Sequence, residues 1–212
     1  MTKTKLAHPE LTNIEVKGMT RESFIMRGAI AAGSVYGLST VSPFVREAMA
    51  QDGGGDVGIL NYALTLEFLE AAFYTQAVKQ VKGLAGPAKE IATTLRDNEV
   101  EHVDALTGAI KEAGGMPVKA PGVDFGKAFA SQDSFLETAQ TFEDLGVGAY
   151  NGAGPMIKAK PILAAAGSIV QIEGRHAGVI RLLRGEQISP SAFDKGLEMQ
   201  EVLDAAKPFI KA

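Results

Sequence analysis

The sequence predicts an all-α fold: a four-helix bundle with a long crossover between its second and third helices, plus a short C-terminal helix. Three observations lead there. Hydrophobic residues make up 46% of the 212 residues, with few aromatics and no tryptophan, which suits packed helices. Apolar residues recur at helical spacing over four long stretches, each bounded by glycine or proline. A set of ionisable residues inside those stretches also repeats. Tyr74 follows Glu67 by seven residues and Tyr150 follows Glu143 by seven; His102 follows Glu99 by three and His176 follows Glu173 by three. The halves are offset by 76 positions for the Glu/Tyr pairs (67 and 143, 74 and 150) and by 74 for the Glu/His pairs (99 and 173, 102 and 176). Each half reads as a helical hairpin, and the two hairpins as mates about an approximate two-fold axis.

Residues 1–50 read as a signal-like leader that is cleaved. Residues 1–27 are polar, 28–45 are weakly apolar and uncharged, and Ala48-Met49-Ala50 matches a small-x-small cleavage site before Gln51. Thr20-Arg21-Glu22-Ser23-Phe24-Ile25 stands where a twin-arginine motif would lie, with Glu22 in place of the second arginine. The expectation is export to the periplasm or beyond, by the twin-arginine route if Glu22 permits it, and a cytoplasmic protein if the leader is not functional. Serine, glycine and proline interrupt the apolar run, so no stable membrane span is expected.

Residues 51–56, with Gly53-Gly54-Gly55 between Asp52 and Asp56, form a flexible linker and a helix N-cap. The bundle is expected over 57–185. Its first helix covers 57–82 and stops at Gly83; the second covers 87–113, with Pro87 in its first turn and Gly114-Gly115 at its end. Residues 115–132 hold two prolines and three glycines without a periodic run, as suits a crossover that spans the bundle. The third helix covers 133–157, with Ser134 near its start, and the fourth covers 161–184, entered at Pro161 and closed by Gly185. Residues 186–212 form a C-terminal extension with a helix over 191–206 that packs on the bundle as an end cap or meets another subunit.

The third helix carries Gly146, Gly148, Gly152 and Gly154, each costing about 1 kcal/mol relative to alanine in a helix interior. Two readings stand: the missing side chains leave room for oxygen or peroxide, or they allow close packing or a local bulge. Gly174, between Glu173 and His176, invites the same two readings.

The repeated glutamates and histidines lie within apolar stripes. The stripes read Leu60, Leu64, Glu67, Ala71, Tyr74, Val78 on the first helix and Leu95, Glu99, His102, Leu106, Ile110 on the second. On the fourth the stripe is Ile162, Ile169, Glu173, His176, Ile180, Leu183. A glutamate and a histidine three apart share one helix face. Two such pairs and one carboxylate from each of two more helices make a di-metal carboxylate site. Four buried carboxylates would repel one another, and two divalent ions would neutralise them. Tyr74 and Tyr150 lie two turns, about 10 Å, beyond a glutamate and lean back toward the helix N-terminus, so each hydroxyl can reach a glutamate of the opposite hairpin. Glu70 competes with Glu67 but lacks a tyrosine at +7, while Asp97, Glu101, Asp104 and Asp144 are expected to face outward.

This pattern resembles the ferritin-like superfamily of ferritins, bacterioferritins, rubrerythrins and manganese catalases. The run Leu-Asn-Tyr-Ala-Leu-Thr-Leu-Glu-Phe-Leu-Glu-Ala-Ala-Phe-Tyr (60–74) is similar more narrowly to the ferritin-like domain group that includes desiccation-related proteins. The resemblance spans about residues 56–185. It implies Glu67, Glu99, His102, Glu143, Glu173 and His176 as ligands of two iron ions, with Glu99 and Glu173 bridging; two manganese ions are the alternative. Tyr74 and Tyr150 would support the ligands.

The implied function is reaction of Fe(II) with dioxygen or hydrogen peroxide in oxidative or desiccation stress. Manganese catalase-like peroxide disproportionation is the runner-up, and a stress protein with a mainly structural metal site is the third reading. No cysteine is present, which excludes disulfides, thiolate metal sites and iron–sulfur modules. Without the leader the chain carries 15 Lys+Arg against 21 Asp+Glu, a net charge of −6 and a poor match to nucleic acid. A homo-oligomer is compatible with the pattern.

Overall fold

The computed structural model describes residues 55–211, so the leader and most of the glycine linker lie outside the described residues. Four long helices dominate: α1 (Asp56–Gln80), α2 (Gly86–Glu112), α3 (Gln132–Ala153) and α4 (Lys160–Leu183). A shorter α5 (Met199–Ala206) follows. There is no strand among the described residues, only an isolated antiparallel bridge between Val123 and Ile210. None of the described helices is long and apolar enough to cross a membrane.

The helix ends follow local chemistry. Gly83, Gly114 and Gly185 sit just beyond three helices at φ of 76°, 79° and 73°, which glycine adopts without strain. After α2, Gly114 N–H donates to Lys111 O and Gly115 N–H to Ile110 O; after α4, Gly185 N–H donates to Leu182 O and Glu186 N–H to Arg181 O. Both patterns satisfy carbonyls that the last helical turn leaves open. Ser131 caps α3, accepting from Ser134 N–H at 3.1 Å, and Ser134 Oγ in turn accepts from Ser131 N–H at 3.0 Å. Ser134 is thus the second half of a capping box.

Three expectations change. Asp56 begins α1 rather than capping it; its carboxylate accepts from Lys158 N–H at 2.8 Å and Ala159 N–H at 2.7 Å, fastening the start of α1 to the turn before α4. The third helix tightens at Ala153 into a 3₁₀ turn over Gly154–Met156, because Pro155 supplies no N–H. The C-terminal helix begins at Met199, not near 191. Before it, Leu197 N–H donates to Gly148 O at 2.9 Å, so this stretch lies along α3 instead of coiling.

α1 packs lengthwise on α2 and α3 on α4, and the hairpins meet where α1 faces α3 and α2 faces α4. The crossover after α2 runs over α1. Asn61 holds it there, donating to Met116 O at 3.1 Å and accepting from Val118 N–H at 2.9 Å. Val118, Phe125 and Ala128 from the crossover join the core, so α1 is buried on most of its circumference. One core cluster centres on Phe73, whose ring meets those of Tyr74, Phe125, Phe129, Phe135 and Phe142 at centroid distances of 4.9–5.5 Å. A second gathers Leu60, Leu64, Leu106, Ile110 and Ile169. The ionisable residues of the repeat are buried between helices that carry both clusters.

Val202, Leu203 and Ala206 of α5 are buried, and α5 packs on α3. The third-helix glycines explain the fit of the segment before it. A Cβ on Gly152 would stand 1.9 Å from Leu197 O, and one on Gly148 would stand 2.5 Å from Leu197 Cδ1. Close packing is therefore the role of these two. Gly174 faces open space, with nothing within 4 Å of an added Cβ.

Candidate metal centre

Helical spacing within each element and the pairing of hairpins bring six residues into one buried layer. α1 supplies Glu67, α2 Glu99 and His102, α3 Glu143, and α4 Glu173 and His176. All four glutamates are 0% exposed. Asp97, Glu101 and Asp104 lie on the exposed face of α2, and Asp144 turns away to pair with Arg181.

The ligating atoms form two groups, Glu67/Glu99/His102/Glu173 and Glu99/Glu143/Glu173/His176, and within each they lie no more than 4.8 Å apart. Glu99 and Glu173 belong to both. His102 Nδ1 lies 3.1 Å from Glu67 Oε2, 3.2 Å from Glu99 Oε2 and 3.2 Å from Glu173 Oε1. His176 Nδ1 lies 2.9 Å from Glu99 Oε1 and 3.4 Å from Glu143 Oε2, yet neither approach has hydrogen-bond alignment. The imidazole planes are 30° apart with centroids 6.1 Å from each other.

Protons alone serve this cluster poorly. One Nδ1–H can satisfy one acceptor, but three carboxylates crowd His102. Glu99 Oε1, Glu143 Oε2, both oxygens of Glu173 and His176 Nδ1 are buried without a hydrogen-bond partner among the described residues. Leaving such groups unpaired costs roughly 1–3 kcal/mol each, more when they are charged. A cation bound through bonds of about 2.1 Å in octahedral geometry sets adjacent ligand atoms about 3 Å apart. The observed 2.9–3.4 Å separations match that spacing. Oxygen and imidazole donors without sulfur suit iron or manganese.

The tyrosines cross between hairpins. Tyr74 on α1 donates its hydroxyl to Glu143 Oε1 on α3, and Tyr150 on α3 donates to Glu67 Oε1 on α1, the latter at 2.5 Å. Each bond occupies one oxygen of a glutamate and leaves the other turned to a histidine. Burial holds both phenols well above their usual range, so they remain hydrogen-bond donors.

The electrostatics follow from burial opposed by imidazole. Burial pushes Glu67 up to about 8 despite its hydrogen bond with His102. It drives Glu173 well above the carboxylate range, with Glu99 and Glu67 adding repulsion, and it also raises Glu143. Glu99 is the exception: burial opposes its ionisation, but the imidazoles of His102 and His176 beside it hold it at about 2. Burial would lower the histidines, yet the surrounding carboxylates raise His102 to about 12 and His176 to about 10. Without metal the raised groups favour their protonated forms, which a cation would have to displace.

Two participants were not assigned from the sequence. Glu70 is buried beside the cluster, a fifth carboxylate rather than a competitor for the place of Glu67. Its signal was the i+3 spacing from Glu67, which the tyrosine criterion set aside. Asn98 Nδ2 lies 3.0 Å from His176 Nε2 across the bundle, and nothing in local sequence marks it. Gly146 also gains a role. A Cβ there would stand 2.9 Å from Glu173 Oε2 and 3.2 Å from Glu70 Oε1, so its missing side chain accommodates carboxylates. Next to Tyr150, a pocket walled by Ile59, Leu60, Ala63, Ala149, Ala153 and Ala166 presents only apolar surface.

A family model described as a ferritin-like domain matches residues 55–186, from the cap of α1 to just past α4. The chain belongs to the ferritin-like domain family. It matches no curated protein sequence. The ferritin-like domain therefore contains all six repeat residues, Glu70, Asn98 and both tyrosines, while α5 lies beyond the matched region.

Proposed function

We propose that this ferritin-like protein binds two iron ions and reacts Fe(II) with dioxygen or peroxide in oxidative or desiccation stress. The observation that carries the reading is the pair of overlapping ligand groups sharing Glu99 and Glu173, with their buried oxygens unpaired. Bound iron would supply the electrons for reducing the oxidant.

The chain's own residues do the rest. Glu99 and Glu173 face both groups and so hold the two positions together. Glu67 and Glu143 each serve one group, and the hydroxyls of Tyr150 and Tyr74 fix their rotation. Five carboxylates around two imidazoles can offset added positive charge on oxidation. Tyr150 lines the apolar pocket, and its hydroxyl reaches Glu67.

A manganese pair that disproportionates peroxide is the second reading. It is favoured by the lack of cysteine, since such a reaction needs no electron relay. Elemental analysis of the native protein separates the readings. Iron, with near-ultraviolet absorption that dithionite bleaches and air restores, supports the first. Manganese with oxygen release from peroxide supports the second. Metal that neither reductant nor air changes, and whose removal only lowers the melting temperature, refutes both and leaves a structural site. Glu99→Ala and Glu173→Ala should each lose metal; two ions retained in both variants would refute the ligand assignment.

A further inference from the structure

The internal two-fold is broken at Glu70, which reaches toward α3, the helix of Glu143, and at Asn98, which meets His176. At the repeat offset of 76 the mate of Glu70 is Gly146, so one half has a glutamate where the other has no side chain. Glu70 stands one turn beyond Glu67 on α1, is 3% exposed, and reaches across to α3. There its Oε1 lies 3.2 Å from the site of a Gly146 Cβ, beside the unpaired Oε2 of Glu173. Gly146 is one turn beyond Glu143. A glutamate at 146 would occupy the space that Glu70 and Glu173 fill, so the glycine and the fifth carboxylate require each other.

The second break is Asn98. At the offset of 74 its mate is Ile172, which has no polar atom in its side chain. The Asn98 amide lies 3.0 Å from His176 Nε2; His102 has no counterpart bond among the described residues. With a cation on Nδ1 of His176, Nε2 would carry the ring's proton, and the Asn98 amide, turned over, would accept it through its carbonyl. That bond fixes the ring and its tautomer. The His102 side chain is also the more open of the two, at 11% exposed against 4%.

We propose, resting on the metal-centre reading above, that Glu70 is a further carboxylate ligand of the position formed by Glu99, Glu143, Glu173 and His176. That position then binds a divalent cation more tightly than the Glu67/Glu99/His102/Glu173 position and fills first. The additional negative oxygen and the anchored imidazole both act there, whereas the other position has one carboxylate fewer and an unanchored ring.

The test is anaerobic titration of the metal-free protein with Mn(II), followed by calorimetry and by the electron paramagnetic resonance of the bound ion. The wild type should show two steps separated by roughly tenfold or more in affinity. Glu70→Gln, which keeps shape and removes charge, should weaken the tight step by roughly tenfold or more and leave the weak one nearly unchanged. Glu67→Gln should do the reverse. Gly146→Ala, whose Cβ would meet Glu173 Oε2 at 2.9 Å as well as Glu70 Oε1 at 3.2 Å, should weaken both steps, because Glu173 serves both positions. Thermal melts of the metal-free variants verify folding. Two equal steps in the wild type, or Glu70→Gln leaving the tight step intact, would overturn the proposal. A folded wild type that binds fewer than two ions would instead overturn the metal-centre reading itself.

Discussion

Loading the cluster with metal should expel protons, and the number is set by the groups that hold them. At pH 7 the metal-free chain keeps a proton on His102 (about 12), His176 (about 10) and Glu67 (about 8), and burial also raises Glu173, Glu143 and Glu70. Glu99, at about 2, is already ionised and releases none. A cation needs neutral imidazole nitrogen and ionised carboxylate, so binding two ions near pH 7 should release about three protons or more per chain. The sign is unambiguous: raised values favour the protonated, metal-free cluster as pH falls, so affinity must rise with pH. Each proton is worth about 1.4 kcal/mol per pH unit, so loading both ions should gain at least about 4 kcal/mol per unit, or roughly thirtyfold per ion. This slope should hold from pH 6 to about 7.5 and shallow above pH 8 as Glu67 ionises unaided. Anaerobic Mn(II) calorimetry in buffers of different ionisation enthalpy counts the protons directly. Release of one proton or fewer per two ions, or an affinity flat between pH 6 and 7.5, would show that the ions bind elsewhere.

Tyr74→Phe and Tyr150→Phe should keep two metals but slow the near-ultraviolet change on oxidation, as each removes a bond that orients a ligand; stopped-flow absorption at unchanged metal content decides this, and an unaltered rate in both refutes it. Gly174→Ala should stabilise the protein by roughly 0.5–1 kcal/mol, since alanine favours helix and the space is open. Gly152→Ala should destabilise it by about 1–3 kcal/mol through collision with the Leu197 carbonyl, and denaturant unfolding of both variants tests the contrast. Exported protein should begin at or near Gln51, as intact mass or N-terminal sequencing would register; finding only full-length cytoplasmic chains would refute cleavage and point to Glu22.

Much of the site was legible in the chain because helical periodicity is local. A glutamate and a histidine three apart share a face whatever surrounds them, and Glu99/His102 and Glu173/His176 announce that face twice. The repeat then pairs the faces, and glycines and prolines mark the ends, so four helices and six of the buried polar residues could be read without coordinates. The C-terminal helix starts later than expected because Leu197 N–H bonds to Gly148 O on α3, while Ser189, Ser191 and Phe193 bond one another two residues apart rather than at helical spacing. Glu70 required the tertiary structure for a similar reason. α1 is buried on most sides, so its period does not single out the face that meets the cluster. The rotation of α1 against α3, and the space left by Gly146, decide that Glu70 turns inward. Asn98 is the extreme case: its contact with His176 spans 78 residues and depends on how two helices from different hairpins settle side by side. Spacing along a chain determines which side chains share a face; only packing determines what that face touches.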